Sequence, residues 1–418
     1  MFIYKVKSGD TLTKISNRFS INQNKIINDN NLSNPFTLLV GECLIIDKDM
    51  ITYQVKNGDD LHKISDEFNI SIDQIKKKNN INNRLKVGQE LILDFKLPNK
   101  YKIYSNGYSY QNLSSEILKD NNSFLSTISP FAYKIKEDGT LNNFNPSNTI
   151  KQNNTPKVMV IANIKEKGGF SPEIAHIILS NRKIKSILIN NIISEMKKEN
   201  YVMLNIDLEY VKPEDKELFI EFIIDMKAKL NEANKKLSVA LAPKTSSFQK
   251  GLLYEAHDYQ QIGKIADYVI IMTYEWGYTY GEPMAVSPLP QVKSVIRYAK
   301  TVIPKEKIIM GIPNYGYDWK LPYQKGTAAD SLSINEAIEK AKEKKVEIKH
   351  SKASLTPYYN YVEDGISHIV HFDDACSYNE KLQLIIKEQI GGLSIWTLST
   401  SNIQLSKLIN YYFSLAQF

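Results

Sequence analysis

The sequence predicts an α/β chain: a (β/α)8 TIM barrel with an α+β insertion between strands seven and eight, preceded by two small βααβ domains. Three observations carry that prediction. An internal repeat lies near the N-terminus, eight short apolar runs then alternate with amphipathic helical stretches, and one of those runs lines polar residues along a single face.

The repeat comes first along the chain. Tyr4-Lys-Val-Lys-Ser-Gly9-Asp10-Thr11-Leu12 matches Tyr53-Gln-Val-Lys-Asn-Gly58-Asp59-Asp60-Leu61, and Ile15, Phe19 and Ile21 match Ile64, Phe68 and Ile70. Asn30-Asn31-Leu32 then matches Asn79-Asn80-Ile81, and Val40-Gly41 with Leu44-Ile45 matches Val87-Gly88 with Leu91-Ile92. The offset slips near Pro35, where the first copy has a longer turn. Each copy reads as strand, Gly-Asp turn, two helices and a returning strand. Residues 1–47 and 51–95 resemble LysM domains over their full length. The resemblance implies binding of N-acetylglucosamine-containing glycans in a shallow groove. It places Gly9, Asp10, Thr11, Leu12, Asn31 and Leu32 at the first groove, and Gly58, Asp59, Asp60, Leu61, Asn80 and Ile81 at the second. Asp60 departs from the usual Thr or Ser.

After the linker Leu97-Pro98-Asn99-Lys100, residues 100–418 change pattern. The apolar runs are Lys102–Gly107, Phe124–Ala132, Lys157–Asn163, Val202–Tyr210, Leu237–Pro243, Tyr268–Tyr274, Lys307–Pro313 and Gly392–Thr397. Helical stretches such as Ser171–Ser180, Pro213–Asn231, Leu289–Val302 and Tyr378–Glu388 separate them, and eight such units predict a barrel. The gap before the eighth run is too long for one helix. Helix-like Ser333–Lys345 and hairpin-like Tyr358–Phe372, turning at Glu363-Asp364-Gly365, predict an insertion at about residues 320–375. The acidic Asp373-Asp374 beside it reads as solvated charge.

The fourth run carries the chemistry. At the strand period of two, Asn205, Asp207 and Glu209 share one face, while Leu204, Ile206 and Leu208 share the other. Burying unpaired carboxylates is costly, so such a face marks a site or a solvent-exposed edge. Catalytic groups of a barrel sit at the C-terminal ends of its strands, and Glu209 ends this one.

On these residues the barrel resembles a family-18 glycoside hydrolase. The family's Asp-Gly-x-Asp-x-Asp-x-Glu motif appears as Val202-Met203-Leu204-Asn205-Ile206-Asp207-Leu208-Glu209. Met272-Thr-Tyr274, Gly311-Ile-Pro-Asn314-Tyr315-Gly-Tyr317 and Gly391-Gly-Leu-Ser-Ile-Trp396 close the sixth, seventh and eighth runs as that family does. Within the family, stretches including Met272–Pro283 and His368–Ala375 resemble those of bacterial spore cortex-lytic N-acetylglucosaminidases with two N-terminal LysM domains. The resemblance implies Glu209 as acid/base, Asp207 as the group that orients the substrate acetamide, and Tyr274 as donor to the acetamido oxygen. Trp396 becomes the sugar floor, with Asn314 and Tyr315 beside it and Met272 packed beneath. Asn205, replacing the family's middle aspartate, is expected to hydrogen-bond Asp207 and to favour its charged form relative to an Asp–Asp pair, because a like charge is absent. Val202-Met203 lie early in the strand and imply altered packing. Competing readings are a chitinase and a non-catalytic glycan-binding spore-coat lectin.

Bulk properties narrow the partners. The excess of 53 basic over 46 acidic residues is spread thinly, which suits an anionic glycan such as peptidoglycan and disfavours nucleic acid. No run is long enough for a membrane span, and no secretory signal is visible, so a spore location is expected without one. Cys43 and Cys376 fall in different domains, a disulfide framework is not expected, and no Cys/His spacing predicts zinc. His368 and His371 fall on opposite faces of a strand. No metal and no cofactor are expected.

Overall fold

The computed structural model describes residues 1–33, 37–97 and 99–416; Pro35 of the longer turn and Pro98 of the linker lie outside them. Both N-terminal repeats fold into the same βααβ unit because both carry the same turn and cap chemistry. In the first, strands Phe2–Lys5 and Cys43–Ile46 pair antiparallel around helices Leu12–Phe19 and Gln23–Asn30. In the second, Met50–Gln54 and Glu90–Asp94 flank helices Leu61–Phe68 and Ile72–Asn79. Asp10 closes its turn by accepting from the Tyr4 hydroxyl (2.6 Å) and the Lys7 amide (2.8 Å). Asp59 does the same with Tyr53 and Lys56, both at 2.7 Å. Thr11 and Asp60 then cap the helices through Lys14 N and Lys63 N, so the Asp60 departure preserves the cap. The two units share one core, in which Phe2 stacks on Phe95 at 4.5 Å and meets Phe68 edge-on at 5.7 Å.

Eight parallel strands follow: Tyr101–Ser109, Thr127–Pro130, Val158–Ala162, Met203–Asp207, Lys236–Leu241, Tyr268–Ile271, Ile308–Pro313 and Gly392–Trp396. They match the eight expected runs to within a few residues at each end. Neighbours pair in parallel, the eighth strand pairs with the first, and the Ile128–Lys157 bridge joins the second to the third. The sheet thereby closes into the barrel. Between strands seven and eight lies a five-stranded antiparallel sheet, beginning at Gly316, together with helix Ile334–Glu343. Its hairpin, Pro357–Glu363 with Ile366–His371, turns at Asp364-Gly365. Both turn residues are left-handed (φ 49° and 76°), as a two-residue hairpin requires.

Two expectations are corrected at the seam between the first repeat and the barrel. Cys43 and Cys376 form a disulfide, with Cα atoms 6.0 Å apart across a sequence separation of 333. Separate domains had argued against pairing, but tertiary packing places the two residues face to face. Polar contacts hold that seam. The Gln404 amide donates to Asn30 Oδ1 (2.9 Å) and Cys43 O (2.8 Å), Lys407 pairs with Asp29 at 2.8 Å, and Ile348 N–H donates to Val40 O at 3.0 Å. Asp373 and Asp374 are not solvated either. Both are buried, Asp373 against Lys381 and Asp374 as N-cap of helix Ala375–Glu388.

Candidate active site

Strand four divides its residues as the alternation demands. Leu204, Ile206 and Leu208 join the core under the helices, whereas Met203 fills the barrel interior with Tyr104, Val160, Ile270 and Ile309. Val202 and Met203 thus replace Asp-Gly by packing, at the strand end remote from Glu209. Asn205 and Asp207 share the interior face, and Glu209 follows just past the strand's C-terminal end.

The backbone at Glu209 is fixed from both sides. Asn163, which directly follows strand three, accepts from Glu209 N–H at 3.0 Å and donates to Glu209 O at 2.8 Å. Its second amide hydrogen reaches Ser171 O at 2.9 Å. His257 holds the preceding peptide: its Nε2 is 3.1 Å from Leu208 O, and its Nδ1 accepts from Ala242 N–H at 2.9 Å. Burial pushes the His257 pKa down to about 4, so the ring is neutral, with the proton on Nε2.

Asn205 does not serve Asp207 as expected. Its oxygen accepts from the Tyr108 hydroxyl at 2.8 Å and its amide donates to Ser238 Oγ at 2.9 Å, so both functional ends are engaged elsewhere. Asp207 is buried, and its Oδ1 has no hydrogen-bond partner among the described residues. Nothing offsets desolvation there, and burial raises its pKa to about 7. Loss of water, rather than any charge at position 205, sets the protonation of Asp207. The Glu209 carboxyl is raised well above the ordinary carboxylate range, by burial first, then by the charges of Asp207 and Glu275.

Tyr274 completes the group. It is buried, and burial, Asp207, Glu209 and Glu275 all raise its hydroxyl, which stays protonated as a donor. Gly311 on strand seven leaves room for its ring, because a Cβ there would lie 2.6 Å from Tyr274 Cε1. Met272 packs against the aromatic cluster of Tyr274, Tyr317 and Trp319. Trp396 stands at the end of strand eight, edge-on to Phe131 (4.7 Å) and Tyr108 (5.4 Å).

Asn314 is buried and braces the Trp396 segment rather than facing the cleft. Its backbone donates to Trp396 O (2.9 Å), its side chain to Thr397 O (3.0 Å) and Thr400 O (3.1 Å), and its oxygen accepts from Asn402 (2.9 Å). Tyr315 donates to Glu275 at 2.7 Å, as does Tyr317 at 2.9 Å. Glu275 reaches the solvent-exposed rim in the left-handed region (φ 65°). Desolvation raises its carboxyl, and the two tyrosine hydrogen bonds oppose that rise. Sequence reasoning passed over Asn163, His257, Tyr108 and Glu275. Two of these were within reach: Asn163 ends the third apolar run, and Glu275 directly follows the Met272-Thr-Tyr274 signature.

The groove residues of the repeats take two kinds of position. Gly9, Asp10 and Thr11 form the turn into the first helix, and Asn31 ends the second helix in the left-handed conformation. Gly58, Asp59, Asp60 and Asn80 repeat this. Leu12, Leu32 and Leu61 are buried in the shared core, with Ile81 packed against it.

Comparison with known proteins agrees with this geometry. Residues 104–400 match the family model described as Glycosyl hydrolases family 18, and residues 4–47 and 53–94 match the LysM domain. The chain is 39% identical over 428 aligned residues to the Cortical fragment-lytic enzyme of Bacillus subtilis (strain 168), covering 100% of this chain and 99% of the relative. The crystal structure of the Bacillus megaterium QM B1551 spore cortex-lytic enzyme SleL superposes with TM-score 0.87 at 36% identity, covering 100% of this chain and 99% of that one. That of the Bacillus cereus spore cortex-lytic enzyme SleL gives 0.89 at 34%, covering 99% and 98%.

Proposed function

The chain belongs to glycosyl hydrolases family 18, and we propose that it is a spore-cortex glycosidase cleaving β-1,4 bonds on the N-acetylglucosamine side of peptidoglycan. Its LysM units hold the enzyme to the glycan. The observation that carries this reading is the placement of two carboxyls drawn away from water, Asp207 and Glu209, at the C-terminal end of strand four beside the buried Tyr274.

Hydrolysis here is substrate-assisted and retaining, with the sugar's own 2-acetamido oxygen as nucleophile. Glu209 gives its proton to the glycosidic oxygen as the bond breaks, and a raised carboxyl holds that proton at neutral pH. The acetamido oxygen closes on the anomeric carbon and forms an oxazolinium ion. Asp207, whose Oδ1 has no hydrogen-bond partner among the described residues, accepts the acetamido N–H and balances the developing positive charge. The Tyr274 hydroxyl donates to the acetamido oxygen and fixes its line of attack. Glu209, now ionised, takes a proton from water, which opens the oxazolinium with retention. Trp396 supplies an apolar face for the sugar ring. A sugar whose nitrogen is locked in a lactam has no such nucleophile, so new reducing ends are N-acetylglucosamine.

Glu209→Gln tests the assignment. Turnover of cortex fragments is expected to fall by about 10²–10⁴-fold, the usual worth of a positioned acid/base, while fragment binding persists. Unchanged turnover removes Glu209 as the acid, and muramic reducing ends in the digest remove the proposed bond preference.

A further inference from the structure

The seam between the first LysM domain and the barrel gathers four metal-ligating side chains from three separate elements. Cys43 opens the returning strand of the first LysM domain, and His350 ends the short strand Lys349–His350. Asp374 caps helix Ala375–Glu388, and Cys376 is that helix's second residue. Their donor atoms all lie within 4.8 Å of one another. Cys43 Sγ is 3.5 Å from His350 Nε2, which in turn is 2.8 Å from Asp374 Oδ2.

We propose that Cys43, Cys376, His350 and Asp374 form a four-donor site for zinc that bridges the first LysM domain and the barrel when the Cys43–Cys376 disulfide is reduced. The donor chemistry is that of structural zinc: two thiolates, an imidazole and a carboxylate. With metal–ligand lengths of about 2.0–2.3 Å, tetrahedral neighbours stand roughly 3.5 Å apart. Cys43 Sγ and His350 Nε2 already have that spacing, all four donors lie within 4.8 Å of one another, and breaking the S–S bond frees the two sulfurs to move apart to it. Asp374 is held ready, since its Oδ1 accepts from Ser377 N at 2.9 Å and so orients Oδ2 toward the other donors. Cys43 and Asp374 are buried, whereas His350 and Cys376 are half-buried and line a cavity of about 1080 Å³ shared with Lys5 and Asn379. That cavity gives an ion its way in.

The chemistry balances. A dithiol breaks the S–S bond, delivers two electrons and two protons to the sulfurs and leaves as its own disulfide. Zinc then displaces both thiol protons to water. The seam is thereby cross-linked in either redox state, covalently when oxidised and through the ion when reduced.

The full chain, reduced anaerobically with a phosphine that the disulfide oxidises to its oxide, with water supplying the oxygen and the thiol protons, is to be titrated with Co²⁺ and separately with Zn²⁺. Expected are one Co²⁺ per chain, a thiolate-to-cobalt charge-transfer band, and the visible bands of tetrahedral cobalt. Cys43→Ser and His350→Ala each weaken Co²⁺ binding by more than ~100-fold, beyond the loss of an outer-shell partner. In the reduced wild-type chain, Zn²⁺ raises the melting temperature, a readout that does not depend on the variants folding. Absence of the charge-transfer band, octahedral cobalt, equal binding by Cys43→Ser, or no zinc-dependent thermal shift each overturns the proposal.

Discussion

Asp207→Asn is the sharpest probe of how burial sets the site's electrostatics. The Asp207 carboxyl rises from 3.8 to about 7, with desolvation as the cause. In the unfolded chain the same group ionises near its ordinary value. Below about pH 3.8 both states hold the proton and the group costs nothing. As the pH climbs toward 7, the unfolded chain ionises first and folding stability declines; above about 7 the decline is complete. A rise of roughly three pH units at ~1.36 kcal/mol each makes the buried charge worth on the order of 4 kcal/mol against folding. The amide carries no such charge. Asp207→Asn therefore differs little from wild type at pH 4 and is more stable by up to that amount at pH 8. Denaturant unfolding at the two pH values, read by circular dichroism, measures the difference directly. A variant whose stability tracks wild type at both pH values, or falls below it at pH 8, refutes the reasoning.

Three further substitutions separate the parts of the site. Glu275→Gln removes a charge that helps raise Glu209, so the alkaline limb of the kcat/KM profile moves to lower pH, as a pH–rate series on cortex fragments reads out. Gly311→Ala puts a Cβ 2.6 Å from the Tyr274 ring; overpacking costs roughly 1–3 kcal/mol, and kcat falls more than binding as the hydroxyl is displaced. Thermal unfolding and steady-state kinetics on one preparation decide it. Asn163→Ala removes both side-chain hydrogen bonds to the Glu209 backbone, and their loss is expected to lower stability by about 1–3 kcal/mol and reduce turnover while the fold persists.

Much of this protein was legible from local pattern. Period-two alternation in strand four placed Asn205, Asp207 and Glu209 opposite Leu204, Ile206 and Leu208, because neighbouring side chains in a strand must point to opposite faces. The repeat at Gly9-Asp10 and Gly58-Asp59 was equally readable, since turn and cap chemistry act within a few residues. Asp-Gly at residues 364–365 announced its hairpin for the same reason. What local pattern could not carry was anything set by desolvation or by approach across the fold. Asn205 sits two residues from Asp207, yet its partners are Tyr108 and Ser238 on other strands. The charge state of Asp207 follows from how much water the closed barrel excludes, a quantity with no sequence signature. Cys43 and Cys376 lie at opposite ends of the chain, and only the packing of the first LysM domain on the barrel brings them together with His350 and Asp374. The sequence by itself determined the elements and which polar groups share the inner face of strand four. Tertiary structure decided their protonation and their partners, because both depend on what surrounds a side chain in space rather than along the chain.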